Sequence, residues 1–183
     1  NQGIVKVFST KNKQRIFHSF MDIELKNKFL YIKDYKIKCT IGKRGITSKK
    51  VEGDRKTPKG TFRLKSIFYR KDRIMKIKSS LKKHIIRKNM GWCDDPKSKH
   101  YNQLIKFPFI ESAEQLWRKN NIYDIIIIID YNIKPIIKNK GSAIFLHVAR
   151  KKYEPTEGCI AIKKKDMYLL IKKINSKTKI IIN

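Results

Sequence analysis

The 183-residue chain is poor in acidic residues, since 15 Asp and Glu stand against 45 Lys and Arg and leave a net charge of +30. Glycine and proline are also scarce, at 8 and 5 residues, which excludes collagen-like and low-complexity chains. No run of about 18 apolar residues occurs, so no transmembrane helix is predicted. The first residues, NQGIVKVFST, lack the basic and apolar regions of a signal peptide. We therefore expect one globular domain over residues 1–183, with any export signal outside it.

The excess of positive charge has two explanations that the composition leaves open. A basic surface attracts polyanions such as nucleic acid, an anionic membrane surface or an acidic cell-wall polymer. Alternatively, abundant Lys, Ile and Asn reflect a bias of the whole proteome, because the basic residues are spread along the chain. The aromatic and glycine pattern of the common RNA-binding modules is absent, so no nucleic-acid partner is expected.

Cysteine is rare, and its odd count means that at least one thiol is free. Cys39, in a predicted strand, and Cys93 are expected to be structural thiols. No cysteine belongs to a metal-binding spacing, and neither do His18, His84 and His100, so we expect neither a metal site nor another cofactor.

Alternating or continuous apolar runs predict that most of the chain is β-structure. A hairpin is predicted where Lys33 and Asp34 separate two such runs. The predicted strands are Ile4–Phe8, Phe29–Ile32, Tyr35–Ile41, Thr61–Phe68, Tyr123–Ile129, Ala143–His147 and Lys179–Ile182.

Two short segments carry helical signals. Ser112 followed by Glu114, Leu116 and Trp117 is typical of a capped short helix. The apolar residues of Lys165–Ile174 recur at helical spacing. Residues 91–110 favour an ordered loop over a regular element. The expected fold is a mainly β domain with one or two short helices.

A candidate reactive pair occurs in the second half of the chain. His147 ends a predicted strand, and Cys159 follows twelve residues later, directly after Gly158. An imidazole can take the proton of a thiol nucleophile, and the N–H groups around Gly158 and Cys159 can form an oxyanion hole. From spacing alone a structural role is the commoner one, because free cysteines are usually buried and single histidines are usually structural.

Three segments together resemble a known family. GDRKTPKGTFRL (Gly53–Leu64), GSAIFLHVAR (Gly141–Arg150) and PTEGCIAI (Pro155–Ile162) are similar in order and spacing to the L,D-transpeptidase catalytic domain, also called the YkuD domain. The block GWCDDPKSKHYN (Gly91–Asn102) looks like a feature of one divergent bacterial branch. The resemblance implies a β-sandwich or barrel that acts on peptidoglycan stem peptides in the periplasm or cell envelope, and we expect a monomer.

The resemblance also implies roles for individual residues. Cys159 would attack the carbonyl of the diamino-acid residue at stem position three, releasing the following D-residue and leaving a thioester. His147 would act first as base and then as acid, with a backbone carbonyl such as that of Val148 fixing its tautomer. An amine from a second stem would take the acyl group and form a crosslink, or water would take it in an L,D-carboxypeptidase or endopeptidase reaction.

The chain departs from the family motif around the cysteine. The usual motif reads Ser/Thr-His-Gly-Cys with an Arg or Asn two residues on, whereas this chain has Thr156 and Glu157 before Gly158, and Ala161 at the later position. The usual interval between the histidine and the cysteine is also longer. Thr156 is expected beside the substrate, and Glu157 either binds an amine of the acceptor or is a solvated turn residue.

Several further polar residues are candidates for substrate contacts. In the probable loop that begins at Gly91, carboxylates can meet the amine of a diamino acid, although a purely structural loop fits equally well. Arg150 can bind a stem carboxylate or be one of many surface cations. Asp54, beside Thr57 and Pro58, is expected to hydrogen-bond the loop backbone. The loop candidates are Trp92, Asp94, Asp95, Tyr101 and Asn102.

Overall fold

The computed structural model describes residues 22–183 and contains fourteen strands and one helix within that range. The mainly β fold class is confirmed, while the predicted strand Ile4–Phe8 lies outside the described residues. The elements are β1 (Ile23–Lys26), β2 (Phe29–Ile32), β3 (Tyr35–Thr40), β4 (Ile46–Thr47), β5 (Thr57–Pro58), β6 (Gly60–Tyr69), β7 (Lys82–Ile85), β8 (Met90–Cys93), β9 (Leu104–Lys106), β10 (Ala113–Gln115), β11 (Ile125–Ile129), β12 (Phe145–Val148), β13 (Ile160–Ile162), α1 (Lys164–Ile171) and β14 (Lys179–Ile182).

Nine of these strands form one sheet, in which β7 pairs with β6 and the other eight close into a ring. The order of the eight is β11-β12-β13-β3-β2-β1-β14-β6, and β6 also pairs with β11, which joins the two ends. The long strand β6 makes the closure, because Gly60–Arg63 pair with β14 and Leu64–Tyr69 pair with β11. The result is a barrel-like sheet in which β12 and β13 are neighbours and run in parallel.

The isoleucine run of β11 packs against a hydrophobic cluster on each face of the strand. All five of its residues are buried. Ile125, Ile127 and Ile129 belong to the main core, whereas Ile126 and Ile128 pack in a second cluster with Phe145 and Trp92. Side chains alternate between the faces of a strand, so a strand with both faces covered must be apolar throughout. The second cluster lies beneath the region of His147 and Cys159.

The predicted hairpin and the C-terminal elements are confirmed. β2 and β3 pair in antiparallel register across Lys33 and Asp34. The helix begins one residue earlier than predicted and ends at Ile171, with its apolar residues buried against the core. No helix within residues 22–183 is long and apolar enough to span a bilayer.

The helix predicted at Ser112 is wrong. Ala113–Gln115 instead form β10, which pairs with β8 in a separate sheet of order β10-β8-β9. The Ser112 hydroxyl donates to Asp94 Oδ1 at 2.6 Å and caps no helix. Pairing with β8 therefore outweighs a local capping signal. The predicted loop 91–110 likewise contains most of β8 and all of β9.

Candidate active site

Strand pairing brings Cys159 and His147 to one face of the sheet. In the parallel pair of β12 and β13, His147 lies opposite Ala161. Cys159 lies immediately before β13, and its Sγ accepts from the N–H of Phe145, which is two residues before His147 in β12. Both side chains line one cavity of about 220 Å³. In the described structure, however, the Cys159 thiol and the His147 imidazole are not hydrogen-bonded to each other.

The Cys159 thiol is held by backbone groups at the start of β12 and just before it. Its Sγ–H donates to the Ala143 carbonyl at 3.1 Å, and Sγ accepts from the Phe145 N–H at 3.4 Å. Burial, followed by the nearby negative charge of Glu114, raises the pKa of Cys159 to about 12. The thiol is therefore neutral before substrate binds, and its proton must leave during the attack.

The His147 imidazole is buried and oriented by a backbone carbonyl. Its Nδ1 lies 2.9 Å from the Val148 oxygen, and a carbonyl only accepts, so Nδ1 carries the hydrogen and Nε2 has the free lone pair. The Tyr123 ring packs edge-on against the imidazole at 5.3 Å between centroids. Burial lowers the pKa of His147 to about 4, so the ring is neutral and able to accept a proton.

Gly158 is fixed by the first of the three family-like segments. Thr57 donates its hydroxyl to the Gly158 carbonyl at 2.8 Å and accepts from the Gly42 N–H at 2.9 Å. Gly158 has φ of 143°, and a Cβ there would lie 3.0 Å from the Lys56 oxygen. The position therefore requires glycine.

The turn before Cys159 is closed by Thr156. Its Oγ1 donates to the Cys159 carbonyl at 2.6 Å and accepts from the Gly158 N–H at 3.1 Å. One of the two amides expected in the oxyanion hole thus already has an acceptor, which a substrate oxygen would have to displace. Thr156 also lines the 220 Å³ cavity, so it both shapes the turn and faces the expected substrate.

Asp54 holds the loop before the threonine. Its carboxylate accepts from the Val51 and Lys56 N–H groups, both at 2.9 Å, and pairs with Lys50 Nζ at 2.5 Å. Burial opposes ionisation, but these donors outweigh it and lower the pKa of Asp54. The expected backbone-bonding role is confirmed.

Two cavities meet at Cys159 and differ in their lining. The larger, which we name the imidazole cavity, holds His147; the smaller, of about 80 Å³ and here named the glycine cavity, holds Gly158. Glu114, Glu157 and Cys159 line both. The imidazole cavity is also lined by Arg118, Ile122, Tyr123, Arg150, Glu154, Pro155, Thr156 and Ala161, and the glycine cavity by Lys50, Glu52, Gly53, Asp94, Ser142, Ala143 and Ile144.

Three of the loop candidates lie behind the site and do not form its wall. Trp92, Tyr101 and Asn102 are buried and line neither cavity. Asn102 Oδ1 accepts from the Trp92 Nε1–H at 2.8 Å and from the Ala143 N–H at 3.0 Å. Tyr101 Oη accepts from the Gly141 N–H at 2.9 Å. In the free protein these polar groups support the segment that receives the Cys159 thiol, and a contact of the three residues with substrate stays a prediction.

The two aspartates of that block differ from each other. Asp94 lines the glycine cavity and accepts from Ser112. Asp95 accepts from the Lys97 N–H at 2.9 Å and lines neither cavity, so it organises a turn. Of the two carboxylates, only Asp94 lines a cavity beside Cys159, and its contact with a substrate amine stays a prediction.

Glu157 and Arg150 lie at the rim of the imidazole cavity. Both are exposed, and Glu157 pairs with Arg55 Nε at 3.1 Å while 79% of its side chain is accessible. An ion pair so exposed contributes about 0–1 kcal/mol to stability. Glu157 is therefore a solvated turn residue in the free protein that nevertheless faces both cavities, and its predicted contact with an acceptor amine stays a prediction.

Sequence reasoning missed a polar network beside His147. Tyr123 Oη and Arg118 Nη2 both donate to Glu114 Oε1, at 2.5 and 2.7 Å. Burial raises the pKa of Glu114, although Tyr123 and Arg118 oppose the shift. In the sequence, Glu114 stands out only as part of a predicted helix, and no signal marks Arg118, which lies four residues later.

Other parts of the described structure offer no second reactive pair. Cavities of about 460 and 550 Å³ lie near Trp117 and Pro135, and the residues lining them include neither cysteine nor histidine. Cys39 and Cys93 are buried, and burial raises the pKa of Cys39 to about 12. Within residues 22–183, no three His, Cys, Asp or Glu side chains are grouped as metal ligands would be.

Comparison with known proteins identifies the family. Residues 13–182 match the model of the YkuD family, described as the L,D-transpeptidase catalytic domain. Among curated proteins, no sequence matches this chain. A solved structure, the helical cell shape determining protein Pgp2 from Campylobacter jejuni, is similar over 93% of this chain with a TM-score of 0.48 and 16% identity. The chain spans about half of that protein, at 53% of its length. With nearly its whole length matched by the family model, the chain belongs to the YkuD family of L,D-transpeptidase catalytic domains.

Proposed function

We propose that the protein is a cysteine acyltransferase that acts on the stem peptides of peptidoglycan in the periplasm or cell envelope, with Cys159 as nucleophile and His147 as base and acid. The observation that carries the proposal is the placement of the two side chains on one face of parallel strands, with the imidazole locked by Val148 so that Nε2 is free to accept a proton. Membership of the family supplies the substrate class.

The first half-reaction cleaves the stem after its diamino-acid residue. Cys159 Sγ forms a bond to the carbonyl carbon, and His147 Nε2 takes the thiol proton. The C–N bond to the D-residue then breaks, and the same proton passes to the departing amine. A thioester remains on Cys159. Because the free thiol has a raised pKa and is neutral, proton transfer must accompany attack.

The second half-reaction regenerates the thiol. An amine of another stem attacks the thioester and gives a crosslink, or water attacks and gives a shortened stem. We place the side chain of the diamino acid in the glycine cavity, where Asp94 and Glu52 are available to its ammonium group. Glu157, exposed at the edge of both cavities, is our candidate contact for the incoming amine.

The products of a stem tetrapeptide separate the possible activities. Incubation with tetrapeptide muropeptides, followed by mass spectrometry, should give a crosslinked dimer for transfer or a tripeptide for hydrolysis. A crosslinked substrate cut to monomers would indicate an endopeptidase. Cys159→Ala should abolish every product, whereas Cys39→Ala, which removes a buried thiol of β3, should retain them.

A trapped intermediate provides an independent test of the nucleophile. A carbapenem should add its mass to the intact protein, with the adduct on the peptide that contains Cys159 and absent from Cys159→Ala. Binding of muropeptides without any product or adduct would instead support the competing function, a wall-binding module in which the net charge of +30 attracts anionic polymers. Full turnover by Cys159→Ala would contradict the proposal directly.

A further inference from the structure

The imidazole cavity contains a guanidinium that neither the motif nor the sequence pattern marked. Arg118 lines this cavity together with His147, Cys159 and Ala161. Ala161 is the position at which the usual motif carries Arg or Asn, and its methyl group leaves the cavity floor without a polar group there. Strand β13 therefore contributes no polar side chain at this position, while a guanidinium lines the same cavity from the segment after β10.

Arg118 is held in place but retains unused donors. Nη2 donates to Glu114 Oε1 at 2.7 Å, and the guanidinium lies over the Tyr123 ring, 4.8 Å from its centroid. Nε is buried and has no acceptor among residues 22–183, and Nη1 donates to none of them either. About 30% of the side chain is accessible. A guanidinium oriented by a carboxylate and an aromatic ring, with free N–H groups, is suited to bind a second planar anion.

The proposed chemistry determines which part of a substrate enters this cavity. His147 must return its proton to the departing amine, so the leaving D-residue lies on the side of His147. The α-carboxyl group of that residue is only one carbon away from the departing nitrogen. In a stem that ends at position four, this group is a free carboxylate, whereas in a longer or crosslinked stem it is a neutral amide.

We propose that Arg118 binds the terminal α-carboxylate of the leaving D-residue and thereby selects stems that end at that residue. This inference rests on the proposed function and makes Arg118 a specificity-determining residue. The positive charge of Arg118 reaches both reacting groups: after the larger effects of burial, it lowers the pKa of His147 and of Cys159. A stem extended beyond the D-residue would leave the free N–H groups of Arg118 without a carboxylate acceptor, so it would bind and react less well.

Two donors that differ only at the carboxyl end test the inference. One is a synthetic stem tetrapeptide ending in D-alanine with a free carboxylate, and the other is its C-terminal amide. The ratio of their kcat/KM values should favour the carboxylate by about 10- to 100-fold. Arg118→Gln should bring the ratio to within about threefold of one, and Arg118→Lys, which keeps the charge without the planar fork, should give an intermediate ratio.

Matched variants keep the test decisive. Arg63→Gln removes an exposed arginine of β6 and should preserve the ratio. Because Arg118→Gln leaves Glu114 without its cation, the double variant Glu114→Gln/Arg118→Gln removes both charges of the pair and should lose the preference as well. If Arg150→Gln abolishes the preference while Arg118→Gln retains it, or if the protein itself shows no preference, the inference is overturned.

Binding separates this inference from the proposed function. Calorimetric titration of Cys159→Ala with both peptides measures recognition without chemistry. If Cys159→Ala prefers the carboxylate in a way that depends on Arg118 while the unsubstituted protein forms no thioester, the result would contradict the proposed function and leave the inference intact. Turnover of both peptides with equal kcat/KM and equal affinity would support the function and overturn the inference.

Discussion

The imidazole and glycine cavities adjoin the same sulfur atom, but arginine side chains line only the first. The imidazole cavity presents two guanidinium groups, from Arg118 and Arg150, together with the carboxylate of Glu154 and those of Glu114 and Glu157, which line both cavities. The glycine cavity presents the carboxylates of Glu52 and Asp94, and its cation, Lys50, is already paired with Asp54. In our proposal this difference divides the substrate, with the departing carboxylate on one side of the thiol and the ammonium group of the retained residue on the other.

Replacement of Gly158 should reduce activity most, because it changes the glycine cavity directly. His147 lines only the imidazole cavity and should be unaffected. Gly158→Ala places a Cβ 3.0 Å from the Lys56 oxygen at a positive φ. We expect a stability loss of about 1–3 kcal/mol and a kcat lowered about 100-fold by displacement of the amides near the reacting carbonyl. Stopped-assay kinetics and thermal unfolding measure the two effects. Unchanged kcat in a folded variant would contradict a role for this turn in stabilising the oxyanion.

The pH dependence of kcat/KM tests the imidazole side alone. Burial lowers the pKa of His147 to about 4, and only the neutral ring accepts the thiol proton. Activity should therefore stay level as the pH falls from 7 to 5 and decline only as the pH approaches 4. If His147 had the ordinary histidine pKa of about 6.5, activity would already fall below that pH. An acid limb at that value, with circular dichroism confirming the fold, would show that the ring is not buried during catalysis.

Replacement of Asn102, which lies behind both cavities, should have a smaller effect. Asn102→Ala removes the acceptor of the Trp92 and Ala143 N–H groups, and Ala143 receives the Cys159 thiol. We expect the free energy of unfolding to fall by about 2 kcal/mol, with kcat reduced more than KM is changed. Asp95→Ala, which only frees a turn amide, is the control and should cost less than half as much. Urea unfolding of both variants gives the comparison, and equal losses would contradict the supporting role of Asn102.

The strands and the candidate pair of Cys159 and His147 could be found from the sequence because each leaves a local signal. The isoleucines of β11, and the alternation of buried and more exposed residues in β2 and in part of β3, follow directly from which faces of these strands are buried. Cys159 and His147 were identified through family-like segments, although their shared face depends on the parallel pairing of β12 and β13.

The surroundings of the pair were less predictable because they depend on contacts distant in sequence. Trp92 and Asn102 carry polar groups typical of a cleft, yet they satisfy one another and a backbone amide inside the protein. Arg118 lies in a segment whose helical spacing is overruled by pairing of β10 with β8. A polar residue in a loop therefore predicts proximity to a site better than it predicts contact with substrate.

The parallel pairing of β12 with β13 also has a consequence for protein engineering. Parallel neighbours require a crossover connection, which here runs through residues 149–159 and supplies Arg150, Glu154, Pro155, Thr156 and Glu157 to the imidazole cavity. The strands fix the histidine and the residues that follow the cysteine, whereas the connection forms much of the cavity wall. Exchanging this connection should therefore change the lining of the imidazole cavity without redesign of the barrel, which makes it the place to alter what this cavity binds.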